Sequence, residues 1–192
     1  MNDVRAAGVS APARTTDPFG RVLDAIDTLS MAGAWAAVLC ILAILALIVG
    51  EVAARNLFNY SIHFAWEFSA YLMGATFMLG GGYALRAGAQ IRVNLLITGV
   101  RGDIARIIDL GATFLTAAIA LYLTYALFLL TWLSWERGSK SAMASELPLW
   151  IPQLALSLGA AIFALQLIAR AARLLRREPG DDARLRLAQD IE

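Results

Sequence analysis

The sequence predicts an all-α integral membrane protein with four transmembrane helices, both termini in the cytoplasm, and an interfacial amphipathic segment between spans two and three. Three observations lead to this fold class. Of the 192 residues, 59% are hydrophobic and 16% are charged, against roughly 25% charged residues in soluble domains. The apolar residues are gathered into four blocks, each near the ~20 residues that cross a bilayer as a helix. The basic residues are divided unequally between the two sides of these blocks.

The four apolar blocks divide the chain into a membrane domain and two tails. We expect the blocks to be helices because a backbone in lipid must satisfy its hydrogen bonds within its own segment. The membrane domain covers 28–170, between a cytoplasmic N-terminal tail (1–27) and a cytoplasmic C-terminal tail (171–192). The predicted spans are about 28–50, 65–85, 107–135 and 147–169.

The distribution of basic residues predicts the orientation of the chain. An even number of spans puts both termini on one side, and thirteen of the sixteen Lys and Arg fall on that side. Because cytoplasmic loops are enriched in Lys and Arg, both termini are expected in the cytoplasm. The opposite boundary holds four of the five tryptophans, whose amphipathic rings favour such an interface. These tryptophans are Trp66, Trp132, Trp135 and Trp150.

The chain lacks the residue patterns of common enzymes. His63 is the only histidine and Cys40 the only cysteine, so neither a histidine pair for haem nor a pair of thiols is present. The HExxH, GxSxG and P-loop patterns do not occur. A net charge of +1 gives no basic field that would attract nucleic acid. We therefore expect no catalytic activity, cofactor, metal or nucleic-acid partner for this chain.

Ionisable residues near the span ends are the candidate functional residues, because charge inside the hydrocarbon is costly. Glu51 and Arg55 are four residues apart with the acid first, so they can pair on one helical face. Glu67, directly after Trp66 at the outer end of span two, could reach that pair. Three interpretations stay open: an ion-pair cluster that fixes how spans one and two meet, contacts with a partner protein, or a substrate or ion site.

The connection 86–106 has the pattern of a segment that lies on the membrane surface. Projected as a helix, it presents an apolar face flanked by Arg92 and Arg106. The apolar face consists of Val93, Leu96, Ile97, Val100 and Ile104. Such a segment rests in the inner interface with its apolar side in lipid and its arginines at the headgroups. Membrane lipids are therefore a predicted partner.

Small residues on two spans predict close helix packing, because helices in lipid associate where their backbones can approach. Ala70 and Gly74 in span two, and Ala155 and Gly159 in span four, are small pairs four residues apart. Span two also contains "LGGGY" at 79–83. Packing within the chain is the plainer interpretation, and a face that receives another protein is the alternative.

The order of two longer motifs points to a known family. "EVAARNLFN" closes span one, and "WEFSAYLMGATFMLGGGYALRAGAQIRVNLL" follows it; "SELPLWIPQLALSLG" leads into span four. Over roughly residues 20–175 the chain resembles the DctQ-like small membrane subunits of tripartite ATP-independent periplasmic (TRAP) transporters. The family positions that this sequence fills are Arg55, Trp66, Glu67, Gly80, Ile91, Arg92 and Val93.

Two positions depart from the family pattern. Gln90 stands where His is common in the family, and Asn94 where Asp is common. Both side chains keep hydrogen-bonding capacity but lack a titratable or charged group. A role that requires charge at either position is therefore not carried over. The resulting candidates for structural or partner contacts are Glu51, Arg55, Trp66, Glu67, Gly80, Gln90, Arg92 and Asn94.

The resemblance implies a subunit of the bacterial inner membrane that works beside a large multi-span subunit and a periplasmic substrate-binding protein. The binding protein delivers an organic acid or related solute, and sodium drives its uptake. In that family the transport and sodium sites belong to the large subunit, so the small subunit is a scaffold that braces the moving domain. The alternative is a self-sufficient four-helix transporter that works as a homo-oligomer, with Glu67 as its coupling carboxylate.

Overall fold

The structure, a computed structural model, describes residues 18–62, 64–88, 102–142 and 146–176. Within these residues the regular structure is helical, as the sequence predicts. The four helices are α1 (Pro18–Phe58), α2 (Ala65–Arg86), α3 (Gly102–Glu136) and α4 (Trp150–Leu175).

Three of the described helices are long and apolar enough to cross a membrane, against four spans expected from the sequence. They are Phe19–Phe58 of α1, Ile107–Glu136 of α3, and α4. Helix α2 has 22 residues, enough to span a hydrocarbon core of about 30 Å. It is less hydrophobic than the other helices, because it contains three consecutive glycines, two tyrosines and Glu67.

Helix α1 extends well beyond the apolar block at 28–50. Its 41 residues correspond to about 62 Å, roughly twice the thickness of the hydrocarbon core. The helix begins at Pro18, a residue suited to a first turn because its missing N–H would have no acceptor there. It ends before Asn59, whose φ of 51° is a left-handed conformation that commonly follows a helix. Polar residues that flank the apolar block on both sides are therefore inside one continuous helix.

Helices that are consecutive in the sequence alternate in direction. Helices α2 and α4 run parallel, since Gly74 faces Leu156 and Gly81, two turns later, faces Phe163. Helix α1 packs against both of them, and α3 packs against α4. Because α1 and α3 run antiparallel to α2 and α4, the bundle has an up-down-up-down arrangement.

The two ends of the bundle differ in their side chains. We call one of them the tryptophan end, where α1 and α3 finish and α2 and α4 begin. Trp135 and Trp150 meet there edge to face, with ring centroids 4.8 Å apart. We call the opposite end the arginine end. Its arginines include Arg86, Arg170, Arg173 and Arg176.

Close backbone approach at glycines joins α1, α2 and α4. A methyl group at Gly159 would lie 2.6 Å from Met78 Cβ. One at Gly33 would lie 2.8 Å from the carbonyl oxygen of Leu79. Gly80 is more loosely packed, since a methyl group added there would lie 3.6 Å from the Cβ of Ala37 in α1. These small residues therefore pack within the chain, which is the plainer of the two interpretations.

Candidate partner-binding site between helices α1 and α2

Glu51 ties the last turns of α1 to the residues that follow the helix. The residue is 6% exposed. Its Oε1 accepts hydrogen bonds from the guanidinium of Arg55 and, at 2.9 Å, from the hydroxyl of Ser61. Its Oε2 accepts a short hydrogen bond from the backbone N–H of Ile62. Pairing with Arg55 follows from the i,i+4 spacing, whereas the bonds from Ser61 and Ile62 depend on the path of the chain after α1.

Arg55 and Trp66 are exposed side chains that line a groove between α1 and α2. The Arg55 side chain is 60% exposed despite its ion pair, and Trp66 is 78% exposed. The groove has a volume of about 570 Å³ and continues between Ile44, Ile48 and Met73. A mostly apolar cavity with a few polar groups at its mouth is typical of a binding site.

The side chains that line this groove favour binding over catalysis. The carboxylate of Glu51 already accepts three hydrogen bonds, so it is not placed to act as a free base. Among the residues that the structure describes, no group of three or more His, Cys, Asp or Glu could hold a metal ion. The exposed guanidinium of Arg55 has further N–H donors, which can meet a carboxylate, phosphate or carbonyl oxygen of a partner.

Glu67 has its own hydrogen-bond partner on α2. It is 4% exposed and lies in the first turn of the helix, where the helix dipole favours a negative charge. Its Oε1 accepts a hydrogen bond from the hydroxyl of Tyr71 at 2.9 Å. The buried carboxylate is thus held within the tryptophan end of the bundle.

The structure brings Glu51, Arg55 and Trp66 together at the groove, while Gly80 lies at a helix contact deeper in the bundle. Residues 89–101 of the predicted interfacial segment lie outside the described residues, whereas 102–106, which the prediction included, form the first residues of α3. Three predicted candidates also lie outside the described residues: Gln90, Arg92 and Asn94.

A polar cluster at the arginine end was missed by sequence reasoning. Asp27 of α1 accepts hydrogen bonds from two residues of α4, Gln166 at 3.0 Å and Arg173 at 2.7 Å. The Nε of Arg86, on α2, lies 3.5 Å from the same carboxylate. One acidic side chain therefore links three helices. A signal was present in the sequence, because Asp27 stands next to an apolar span on the side that is rich in arginine.

A second missed contact joins α3 to α4. The Arg170 side chain is 4% exposed, and its Nη2 donates to both carboxylate oxygens of Asp109, at 3.1 and 3.0 Å. The Nε of Arg170 also donates to the hydroxyl of Thr113, at 3.4 Å. From the sequence, Arg170 is one of the thirteen basic residues on the side of the termini. In the structure it is a buried partner of a carboxylate.

Replacing Glu51 by Ala is expected to release the residues that follow α1. The substitution removes both acceptor oxygens, so the backbone N–H of Ile62 loses its partner. We expect this amide to exchange about tenfold faster, as for the loss of one charge-assisted hydrogen bond. Hydrogen–deuterium exchange of the protein in lipid nanodiscs, followed by mass spectrometry of the peptide containing Ser61 and Ile62, measures the change.

The matched control is Arg55→Gln. This variant removes the ion pair but leaves the bonds from Ser61 and Ile62 to Glu51, so little change is expected at the Ile62 amide. Equal acceleration in both variants would mean that the ion pair, and not the carboxylate's bonds to the loop, holds this segment.

A comparison with known families covers this site and most of the helix bundle. The family model described as "Tripartite ATP-independent periplasmic transporters, DctQ component" matches residues 44–177, more than half of the chain. The matched region contains all eight candidate residues named from the sequence. No curated protein and no solved structure matches the chain. The chain therefore belongs to the DctQ family and is a membrane component of a tripartite transporter, not an enzyme.

Proposed function

We propose that this chain is the small scaffold subunit of a TRAP-type secondary transporter. Its partners would be a large sodium-coupled subunit, which performs the transport, and a periplasmic binding protein, which delivers an organic acid or related solute. The family match supports the transporter class and implies further components. No cofactor is assigned to the chain, and sodium ions are expected in the large subunit.

The observation that carries the scaffold role is that the acidic side chains accept hydrogen bonds from within the chain. Each buried or half-buried acid that the structure describes in the helices accepts a bond from a neighbouring residue. These acids are Asp27, Glu51, Glu67 and Asp109. Intramembrane carboxylates used for ion coupling face a cavity or pathway. Glu51 lines the groove, but both of its oxygens already accept hydrogen bonds from the chain. Carboxylates that are engaged in this way favour a rigid support for a moving partner.

In this proposal the chain crosses the bacterial inner membrane four times, with both termini in the cytoplasm. Two observations support α2 as the fourth span. It is long enough to cross the membrane, and it packs closely against α1 and α4 at glycine residues. The concentration of arginines at one end of the bundle and tryptophans at the other supports the orientation. The connection between α2 and α3 would then lie at the inner surface against lipid headgroups.

A self-sufficient homo-oligomeric transporter is less well supported. It would need Glu67 as a coupling carboxylate that faces a central cavity. Glu67 is buried in the first turn of α2 and accepts a hydrogen bond from Tyr71. This position at a helix end suits a structural acid better than a coupling group.

Affinity purification of the tagged chain from its native membrane in a gentle detergent tests the scaffold role. We expect a large multi-span membrane protein to co-purify in stoichiometric amount, because a scaffold subunit works in a permanent complex with the subunit that it supports. Mass spectrometry of the eluted complex identifies and quantifies that protein.

Extraction directly into lipid nanodiscs serves as the control for losses caused by detergent. Recovery of the chain alone, or with copies of itself, under both conditions would contradict the scaffold proposal. That result would favour the homo-oligomeric transporter.

A further inference from the structure

We propose that one face of α3 binds the large subunit of the transporter through two tyrosine hydroxyls near the middle of the membrane. This inference rests on the function proposed above. We call this surface the tyrosine face. It consists of Leu115, Ile119, Tyr122, Tyr125, Leu129 and Trp132.

The tyrosine face is the side of α3 that points away from the bundle. Residues on the opposite side of the helix are buried, among them Thr113, Ala117, Ala120, Thr131 and Ser134. The six residues of the tyrosine face follow one another at steps of three or four, so they form a continuous stripe along the helix. The stripe is large enough to receive a helix of another protein along most of the span.

The depth of the two tyrosines follows from the anchors at either end of α3. Tyr122 is ten residues before Trp132 and thirteen after Asp109, which places it about 15 Å and 20 Å from them along the helix. Half of the hydrocarbon core is about 15 Å thick. With a tryptophan at one boundary and a carboxylate at the other, Tyr122 lies near the middle of the membrane and Tyr125 lies less than one turn away.

At this depth the phenol hydroxyls need a protein partner. Tyr122 is 73% exposed and Tyr125 is 65% exposed, and neither hydroxyl bonds to any residue that the structure describes. The threonine hydroxyls of α3 can find an acceptor within their own helix. Thr116, for example, donates to the carbonyl oxygen of Ala112 at 2.8 Å. A tyrosine hydroxyl is too far from its own backbone to do so. Lipid tails offer no acceptor, so exposure to lipid would leave both groups unsatisfied.

The exposed face of α1 has the opposite character and suits lipid. Between residues 38 and 46, its exposed side chains are all aliphatic. They are Val38, Leu39, Ile41, Leu42, Leu45 and Ala46. Trp35, which is also exposed, lies closer to the arginine end, about 12 Å from Asp27 along the helix. The chain therefore has one long face that lipid satisfies and one that requires acceptors from a protein.

Site-specific photocrosslinking in the native membrane tests this assignment. A benzophenone amino acid replaces Tyr122 in one variant and Ile119, on the same face, in a second. The matched control carries the probe at Leu39, which is 66% exposed and lies about 18 Å from Asp27 along α1, a depth similar to that of Tyr122. After irradiation the tagged chain is purified, and the crosslinked products are identified by mass spectrometry alongside the proteins that co-purify without irradiation.

We expect both probes on the tyrosine face to crosslink the co-purifying large subunit, and the probe at Leu39 to give lipid adducts. Three outcomes would overturn the inference while the large subunit still co-purifies: crosslinks to it from Leu39 alone, lipid adducts alone from the tyrosine face, or crosslinks from that face to a second copy of the chain. Absence of the large subunit from every purification would instead contradict the proposed function, and this inference would fail with it.

The hydroxyls themselves are tested by Tyr122→Phe and Tyr125→Phe, which keep the rings. We expect each variant to dissociate from the large subunit about threefold more readily during a detergent titration, as for the loss of one interhelical hydrogen bond in a membrane. Phe128, which is exposed beside the face, supplies a control as Phe128→Leu, for which little change is expected. Unchanged dissociation in both tyrosine variants would contradict a role for the hydroxyls.

Discussion

Replacing Arg170 by Leu is expected to lower the free energy of unfolding of the helix bundle by about 3 kcal/mol. The substitution leaves the Asp109 carboxylate without the guanidinium that binds both of its oxygens. Breaking a buried ion pair from one side costs about 3–5 kcal/mol, and the lower end applies because the Asp109 side chain remains 23% exposed. Unfolding in detergent, followed by the fluorescence of the tryptophans, measures the loss.

The double variant Arg170→Leu with Asp109→Leu separates the lost pair from a lost side chain. We expect it to recover most of the stability, because an apolar pair of similar size replaces the ion pair without leaving an isolated charge. Glu146→Gln supplies the exposed control, since Lys140 and Glu146 are 62% and 75% exposed and such pairs contribute little. A double variant no more stable than Arg170→Leu would contradict this account of the contact.

The positions of the helices could be predicted from the sequence, but their ends could not. A bilayer requires long apolar segments, and such segments form helices to satisfy their backbones. The apolar blocks therefore indicate where the helices lie, although α2 is less hydrophobic than the other three. Hydropathy reports where the chain can contact lipid, whereas a helix continues until its backbone is capped. For this reason the apolar block at 28–50 is only the middle of α1, which starts at Pro18 and ends before Asn59.

The candidate site shows the same division between local and distant contacts. The pair Glu51–Arg55 was predictable because one turn of helix sets its geometry. The pair Arg170–Asp109 joins residues 61 positions apart, and Asp27 meets Arg173 across 146 positions. Such contacts depend on which helices are neighbours and at what rotation, and no periodicity in one segment contains that information.

The spacing of small residues predicts only part of a helix contact. The sequence showed that Gly159 belongs to a face that permits close packing. It did not show that the backbone of α2 at Met78 lies against this glycine, because the choice among three possible neighbouring helices depends on the whole bundle. The pattern therefore predicted the kind of contact, and the fold determined its partner.

Replacing Gly159 by Ala is expected to destabilise the bundle by about 3 kcal/mol, the upper end of the cost of overpacking a core. The added methyl group would lie 2.7 Å from the carbonyl carbon of Met78 and 2.8 Å from the backbone nitrogen of Leu79. Because these are backbone atoms, a side-chain rotation cannot relieve the contact, and α2 and α4 must move apart. The midpoint of unfolding in detergent measures the loss.

Gly111→Ala is the matched control on α3. Among the described residues, no atom outside its own helix backbone lies within 4 Å of the position for its Cβ. The added methyl group should therefore leave stability unchanged or raise it by up to about 1 kcal/mol through helix propensity. Equal stability of Gly159→Ala and Gly111→Ala would mean that α2 and α4 can move apart at little cost in free energy. A bundle that deforms so easily at this contact could not brace a moving partner. The two glycines thus test the rigidity on which the scaffold role depends, independently of any transport measurement.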